Sequence, residues 1–415
     1  MQRASALRSL AGGFPGRRTG IRAAALAAAG AMALAACSSA AAGSDGASAG
    51  GDDGKGGSGL PVKIAIAPAS DTSAVPVDKT VTVRAGSGKL TSVKVVAPGP
   101  GTLDGSFSKD KDSWTSGAKL APGVTYAVEA SAAGSDGKKI TEHSSFTTAE
   151  PLKEQTFVGE YNVDKGSTVG VALPVSIVFN KPIHDKAAVE RRLSVTASPA
   201  VQGAWSWMKD RNGKDRIDYR PEKYWTSGTK VTLRMNLDGV DAGGGMYGTQ
   251  TRKIDFTIGS AVVSTVDVVK KAMTVTKDGK KLRTLPVSTG KKSFETWNGT
   301  MVVLSKVPTI RMDSSTVGIF GPDAYDLGEV KWDVQLTPSG TYAHAAPWNE
   351  GKFGVVNGSH GCIGMSTKNA KWFYDQLHYG DPVTVIKSKD TVATNNGYGD
   401  WNVDWAEWQA GSALK

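Results

Sequence analysis

The chain has 415 residues, a formal net charge of +10, 40% hydrophobic residues and two cysteines, Cys37 and Cys362. At roughly 100–200 residues per domain the length accommodates several domains. Two cysteines so far apart exclude a disulfide scaffold and a cysteine-rich zinc module, and the ordinary apolar content excludes disorder over the whole chain. In chain order, Arg3, Arg8, Arg17, Arg18 and Arg22 precede an uncharged run from Ala23 to Ala36. That pattern predicts a secretory signal over 1–36, too short for a membrane span of about 20 residues. Residues 37–60 are dominated by Gly, Ser and Ala and read as a flexible tether.

Residues 61–150 show short alternating strands broken by Gly, Pro, Asp and Ser, among them Val62–Ile66, Thr80–Val83, Ser92–Val96 and Val124–Val128. Such spacing predicts a β-sandwich, with Trp114 in its core. A second all-β unit is expected over 151–259. Its strands include Val169–Phe179, Trp205–Trp207, Ile217–Tyr219 and Lys230–Met235. His143 and His184 have no nearby ligand partners in sequence and read as structural or surface residues. From 260 to 388 strands continue (Ala261–Val266, Ala272–Val275, Met301–Leu304), with a long loop over Asp313–Gly328. A helix is predicted with Ser366 or Thr367 as N-cap, Ala370, Phe373, Tyr374 and Leu377 on one face, and Gly380 beyond its end. Residues 389–415 form a tryptophan-rich end. The fold class is therefore mainly β: two sandwiches, a β-rich third domain with one clear helix, and a C-terminal subdomain.

The stretches that carry chemistry are Tyr342-Ala-His344-Ala-Ala-Pro-Trp348 and Ser359-His360-Gly361-Cys362-Ile363-Gly364. A thiol attacks as thiolate, and a nearby imidazole can take its proton. Three of the five histidines, His344, His360 and His378, lie within 18 positions of Cys362, which favours a functional thiol; His378 falls at the helix end and reads as structural. Gly361 permits a tight bend before the thiol. Helix N–H groups near Ser366 are expected to lower the thiol pKa, and free backbone donors could hold an oxyanion. Zinc on His344, His360 and Cys362 is chemically possible, but the spacing lacks the helical pattern of known zinc motifs. No cofactor or metal is expected.

Tyr342-Ala-His344 followed by Ser359-His360-Gly361-Cys362 resembles the catalytic signature of bacterial L,D-transpeptidases. Met312-Asp-Ser-Ser-Thr316 resembles the start of that family's active-site lid, and Trp332 and Trp348 also correspond. The tail Gly399–Trp408 is similar to the C-terminal subdomain of actinobacterial members, which carry two immunoglobulin-like domains ahead of the catalytic one. Leu34-Ala35-Ala36-Cys37 resembles the lipobox of bacterial lipoproteins, which implies lipidation of Cys37 and a membrane anchor facing the cell wall. Loss of the five leading arginines would then lower the formal charge from +10 to +5. The remaining lysines and arginines are scattered, which argues against nucleic acid as a partner.

The resemblance implies that Cys362 attacks a peptidoglycan tetrapeptide stem after its third residue, releases D-Ala and forms a thioester. An amine of an acceptor stem then resolves it to a 3→3 cross-link. It further implies His344 as general base and acid, His360 as an orienting hydrogen-bond partner, and Gly361 and Cys362 N–H groups with the Tyr325 hydroxyl as oxyanion donors. Met312, Tyr325, Trp348, Ser359 and Gly364 would line the substrate site, and carbapenem β-lactams would acylate the thiol. Two positions depart from relatives: Gly364, where a polar residue is common, and Val317, where some have Tyr. The alternatives are a cell-wall cysteine endopeptidase or L,D-carboxypeptidase, and a non-catalytic wall-binding lipoprotein. In papain-like endopeptidases the nucleophile precedes its histidine, whereas here His344 comes first.

Overall fold

A computed structural model describes residues 61–98 and 101–414; the signal segment, Cys37 and the tether lie outside the described residues. Strands dominate, as alternating sequences with frequent turn residues require. In the first sandwich, Lys63–Ala67, Thr82–Gly86, Ser113–Ser116 and Gly105–Phe107 form a four-stranded sheet. It faces a five-stranded sheet containing Gly88–Ala97, Thr125–Gly134 and Lys139–Thr148. Strict alternation along Thr125–Gly134 buries Tyr126, Val128, Ala130 and Ala132, and Trp114 lies in the same core.

The second sandwich pairs a sheet of Gly159–Tyr161, Val175–Phe179, Asp215–Pro221 and Gly203–Lys209 with one of Thr168–Val169, Thr251–Ile258, Lys230–Asn236 and Leu193–Ser198. Two expectations are corrected here. The Val169–Phe179 run is two strands in different sheets, because the chain turns at Gly170–Pro174. A short helix, Lys186–Glu190, also interrupts the β pattern; the Asp185 carboxylate caps it by accepting the Ala188 N–H at 2.9 Å. Trp205 is buried, and Trp207 stacks on Phe179 at 5.6 Å.

Two sheets and one helix build the third part. The five-stranded sheet runs Lys280–Pro286, Ala272–Lys277, Val262–Asp267, Pro382–Ile386, Gly299–Val302. The four-stranded sheet runs Ser305–Asp313, Asp326–Gln335, Tyr342–Ala345, Ile363–Met365. Helix Thr367–Gln376 starts at Ser366, whose Oγ accepts the Asn369 N–H at 3.3 Å. It buries Ala370 and Phe373 against Val334, Ala343 and Ile363. The stretch expected as a loop from Asp313 is shorter at both ends, since Asp313 and Asp326 close a strand pair. Between them lie two 3-10 turns, Ser314–Val317 and Gly321–Asp323.

The second sandwich and the third part meet closely. The Gly170 N–H donates to the Tyr379 carbonyl at 2.7 Å and the Ala172 N–H to the Gly380 carbonyl at 3.0 Å. A Cβ at Gly170 would lie 2.2 Å from the Asp381 nitrogen, so this approach requires glycine. The tail then crosses back onto the second sandwich. Arg220 lies against the rings of Trp401, Trp405 and Trp408 at 4.9, 5.4 and 4.6 Å. Trp408 is buried, and its indole N–H donates to the Ala204 carbonyl at 2.9 Å. Trp408→Ala should destabilise this junction by about 3–5 kcal/mol. A lowered thermal midpoint and faster proteolysis after Tyr398 are expected; unchanged melting and digestion would refute the docking role.

Candidate active site

Everything at the site follows from one short parallel pairing. Ala343 pairs with Ile363 and His344 with Gly364. Ala343 and Ile363 point into the core, so the alternate residues His344, Cys362 and Gly364 share the opposite face. They open on a cavity of about 160 Å³ lined also by Met312, Tyr325, Trp348, Ser359 and His360. All nine site residues expected in this domain thus reach one neighbourhood, Gly361 lying between His360 and Cys362 in the turn. His378 does not; it sits beside Asp381, with Nδ1 3.5 Å from the carboxylate. His143 is in the first sandwich.

The turn before the thiol is held by Ser359. Its hydroxyl donates to the Cys362 carbonyl at 2.6 Å and accepts the Gly361 N–H at 3.1 Å. Gly361 has φ +116°, a conformation that side chains strain to adopt. One expectation therefore changes: the Gly361 N–H is already engaged. The Cys362 N–H has no acceptor among the described residues and is the backbone donor open to a substrate oxygen. Tyr325 can supply a second, since burial pushes its phenol upward and keeps it protonated.

Cys362 is buried, and its Sγ–H donates to the Gly340 carbonyl at 3.6 Å. Burial pushes the thiol up to about 11. This corrects the expectation of a lowered thiol pKa: desolvation outweighs the lowering effect of the Tyr342 backbone hydrogen bond. His344 is shifted the other way, below the ordinary imidazole range, again by burial. Its Nδ1 lies 2.8 Å from the Ala345 carbonyl, so Nδ1 carries the proton and Nε2 is left as the base. The resting site is a neutral thiol beside a neutral imidazole.

His360 is packed between two aromatic rings, with Asp323 its nearest polar neighbour. Its ring contacts Phe294 edge-on at 4.7 Å and Tyr325 at 5.0 Å, and Nε2 has no hydrogen-bond partner among the described residues. Asp323 lies 3.7 Å from that nitrogen and accepts from Lys291 at 2.9 Å, fastening the covering loop to the wall. Val317, at the position of the second departure, packs on Gly340: a Cβ there would meet Val317 Cγ1 at 2.2 Å. Gly364 exchanges backbone bonds with Ser288 at 2.8 and 2.9 Å, and its own Cβ would press Ala346 at 3.1 Å. Sequence reasoning missed Gly340, Lys291, Asp323 and a buried carboxyl, Asp333. Nothing in the linear pattern pairs them with Cys362, because they arrive through strand register and loop closure.

A buried thiol and a proton-accepting imidazole under a loop form the constellation of a cysteine acyltransferase. Residues 260–385 match the L,D-transpeptidase catalytic domain and residues 72–241 a bacterial Ig domain. L,D-transpeptidase 2 of Mycobacterium tuberculosis is 37% identical over 342 residues, 82% of this chain and 82% of the relative. L,D-transpeptidase 5 of the same species is 34% identical, over 85% of this chain and 77% of the relative. A solved L,D-transpeptidase in complex with imipenem is 33% identical, covering 57% of this chain and all of that one, with a TM-score of 0.49. The chain belongs to the L,D-transpeptidase family and is an L,D-transpeptidase.

Ser359→Ala removes both bonds that set the turn. It should lower stability by about 1–3 kcal/mol and slow the reaction. Thermal melting and turnover check this, and an unaltered melt would show that the turn holds without the hydroxyl.

Proposed function

We propose that Cys362 is the nucleophile and His344 the proton carrier of a transpeptidation that links the third residues of two peptidoglycan stems. The observation that carries this reading is the neutral thiol and imidazole lining one cavity, His344 on a strand and Cys362 in the turn just before its parallel partner. In the first half-reaction Sγ attacks the carbonyl carbon of the stem's third residue while its proton passes to His344 Nε2. The oxyanion takes the Cys362 N–H and the Tyr325 hydroxyl. Collapse breaks the peptide bond, His344 returns the proton to the departing D-Ala amine, and a thioester remains. In the second, an acceptor amine attacks the thioester, its proton passes to His344, and the thiol leaves with that proton.

Because neither partner is charged at rest, proton transfer accompanies attack, which ties thiolate formation to a bound carbonyl. The loop fastened by Lys291, Asp323 and His360 shields the thioester, favouring an amine over water. Met312 and Trp348 line the donor site; Trp348 lies 6.0 Å from His344 and is partly exposed. A β-lactam carbonyl offers the same electrophile as the stem, so a carbapenem is expected to acylate Cys362.

Incubation with purified tetrapeptide stems should give a dimer with loss of D-Ala by mass spectrometry. Cys362→Ala should abolish it together with the carbapenem adduct, and His344→Gln should slow it by roughly 10²–10⁴-fold. Retained cross-linking in folded Cys362→Ala would overturn the mechanism; free tripeptide alone would point to carboxypeptidase activity. Cys37 is proposed as the lipidated first residue of the mature protein, which would place the enzyme outside the cell membrane and within reach of the wall. The mass of the mature N-terminus tests this, and an unmodified start elsewhere would refute it.

A further inference from the structure

We propose that Asp333 is a positioning residue of this reaction: its buried carboxyl, on the sheet face that carries Cys362 and His344, keeps the nucleophile protonated until His344 accepts its proton in the presence of substrate. The inference rests on the reading of Cys362 as nucleophile.

Strand register sets the position of Asp333. Val334 pairs with Ala343 and Gln335 with Tyr342, while Ala343 pairs with Ile363. Val334, Ala343 and Ile363 all belong to the core, so Asp333 alternates onto the face of Tyr342, His344 and Cys362. Asp333 is 0% exposed, and neither carboxyl oxygen has a hydrogen-bond partner among the described residues. A bare carboxyl buried in this way is destabilising, and such groups concentrate where chemistry uses them.

Among the described residues, no cation on the surrounding elements offsets it. The neighbouring strand presents Val307 opposite Asp333, and its Arg311 is tied to Asp326. The strand on the other side contributes Tyr342 and His344, and the turn contributes Cys362. From the covering loop come Tyr325 and Asp313, the latter accepting the Ser315 N–H at 2.9 Å. On its own strand Lys331 and Glu329 are exposed. Lys306 and Lys371 belong to the helix-covered face, bonded to the Leu377 carbonyl and to Asp375. Burial pushes Asp333 up to about 7; Cys362 and Tyr342 are raised first by their own burial, and the negative charge of Asp333 adds to both in the same direction.

The charge acts selectively. Loss of the Cys362 proton to solvent would add a second negative charge to a desolvated site, which ionised Asp333 opposes. Transfer of the same proton to His344 leaves the site's net charge unchanged and escapes that opposition. The carboxyl thereby separates productive deprotonation from idle ionisation.

The test is alkylation of Cys362 by iodoacetamide in the full chain, mapped by peptide mass from about pH 6 to about pH 11, in wild type, Asp333→Asn and Asp333→Leu. Loss of the charge should move the alkylation midpoint to lower pH and raise the rate at about pH 8 by roughly three- to tenfold. Superimposed profiles in a folded variant would overturn the proposal. Alkylation does not require catalysis, so this result stands apart from the product assay on Cys362→Ala. A second readout comes from stability. A carboxyl whose folded pKa is raised loses stability as pH climbs from its ordinary range through about 7, so wild type should gain thermal stability on acidification relative to Asp333→Leu. A difference in melting that does not vary with pH would also overturn it. If neither variant folds, the carboxyl band of wild type in the infrared decides: a band that persists unchanged through neutral pH would refute ionisation, and one that fades there supports it.

Discussion

The site depends on a parallel pair of very short strands, Tyr342–Ala345 and Ile363–Met365. Parallel neighbours need a long connection between them, and here that connection is the segment from Ala346 to Cys362. It carries Trp348, the Ser359 staple and the bend at Gly361 back to the start of the second strand. The histidine and the cysteine are thus 18 positions apart in sequence yet line one cavity, the first from a strand and the second from the turn that leads into its partner. Phe373 and Ala370 of the helix hold the pair from behind. Disturbing the core under Ala343 and Ile363 would therefore move both reacting groups at once.

The cavity inherits its electrostatics from depth. Cys362, His344 and Asp333 are all buried, and each is displaced toward its neutral form. A preformed ion pair would stabilise the thiolate at rest. This arrangement instead reserves charge separation for the transition state, where the Cys362 N–H and Tyr325 stand ready to receive it.

Much of the architecture was legible in the sequence because its signals are local. Period-two alternation marked the sandwich strands, and Ser366 with the Ala370, Phe373 and Leu377 spacing marked the helix. The Tyr342–His344 and Ser359–Cys362 motifs placed thiol and imidazole near one another. What stayed hidden depends on partners distant in the chain. Asp333 is one polar residue in a strand until register sets it beside Tyr342. Gly340 is an ordinary turn glycine until its carbonyl takes the thiol and Val317 closes on it. The direction of the thiol shift was misread because dipole effects can be inferred from a helix start, whereas burial depends on the whole fold. The orienting role of His360 comes from the resemblance alone, whereas its enclosure by Phe294 and Tyr325 is set by the fold.

The tail of the chain has a consequence for how this enzyme can be divided. Arg216 of the second sandwich is buried, grips Asp218, reaches the Gly397 carbonyl at 2.9 Å and lies 3.5 Å from Asp400. Arg211 donates to Asn396, which donates in turn to Ser339, next to the carbonyl that holds the thiol. Glu190 accepts the Ala413 N–H at 2.8 Å. Evolutionary modules and physical modules therefore do not coincide. The segment that performs the chemistry ends, as a folding unit, on a neighbour that precedes it in the chain. A boundary drawn at the start of the third part would leave three arginines and three tryptophans without the surfaces that complete them.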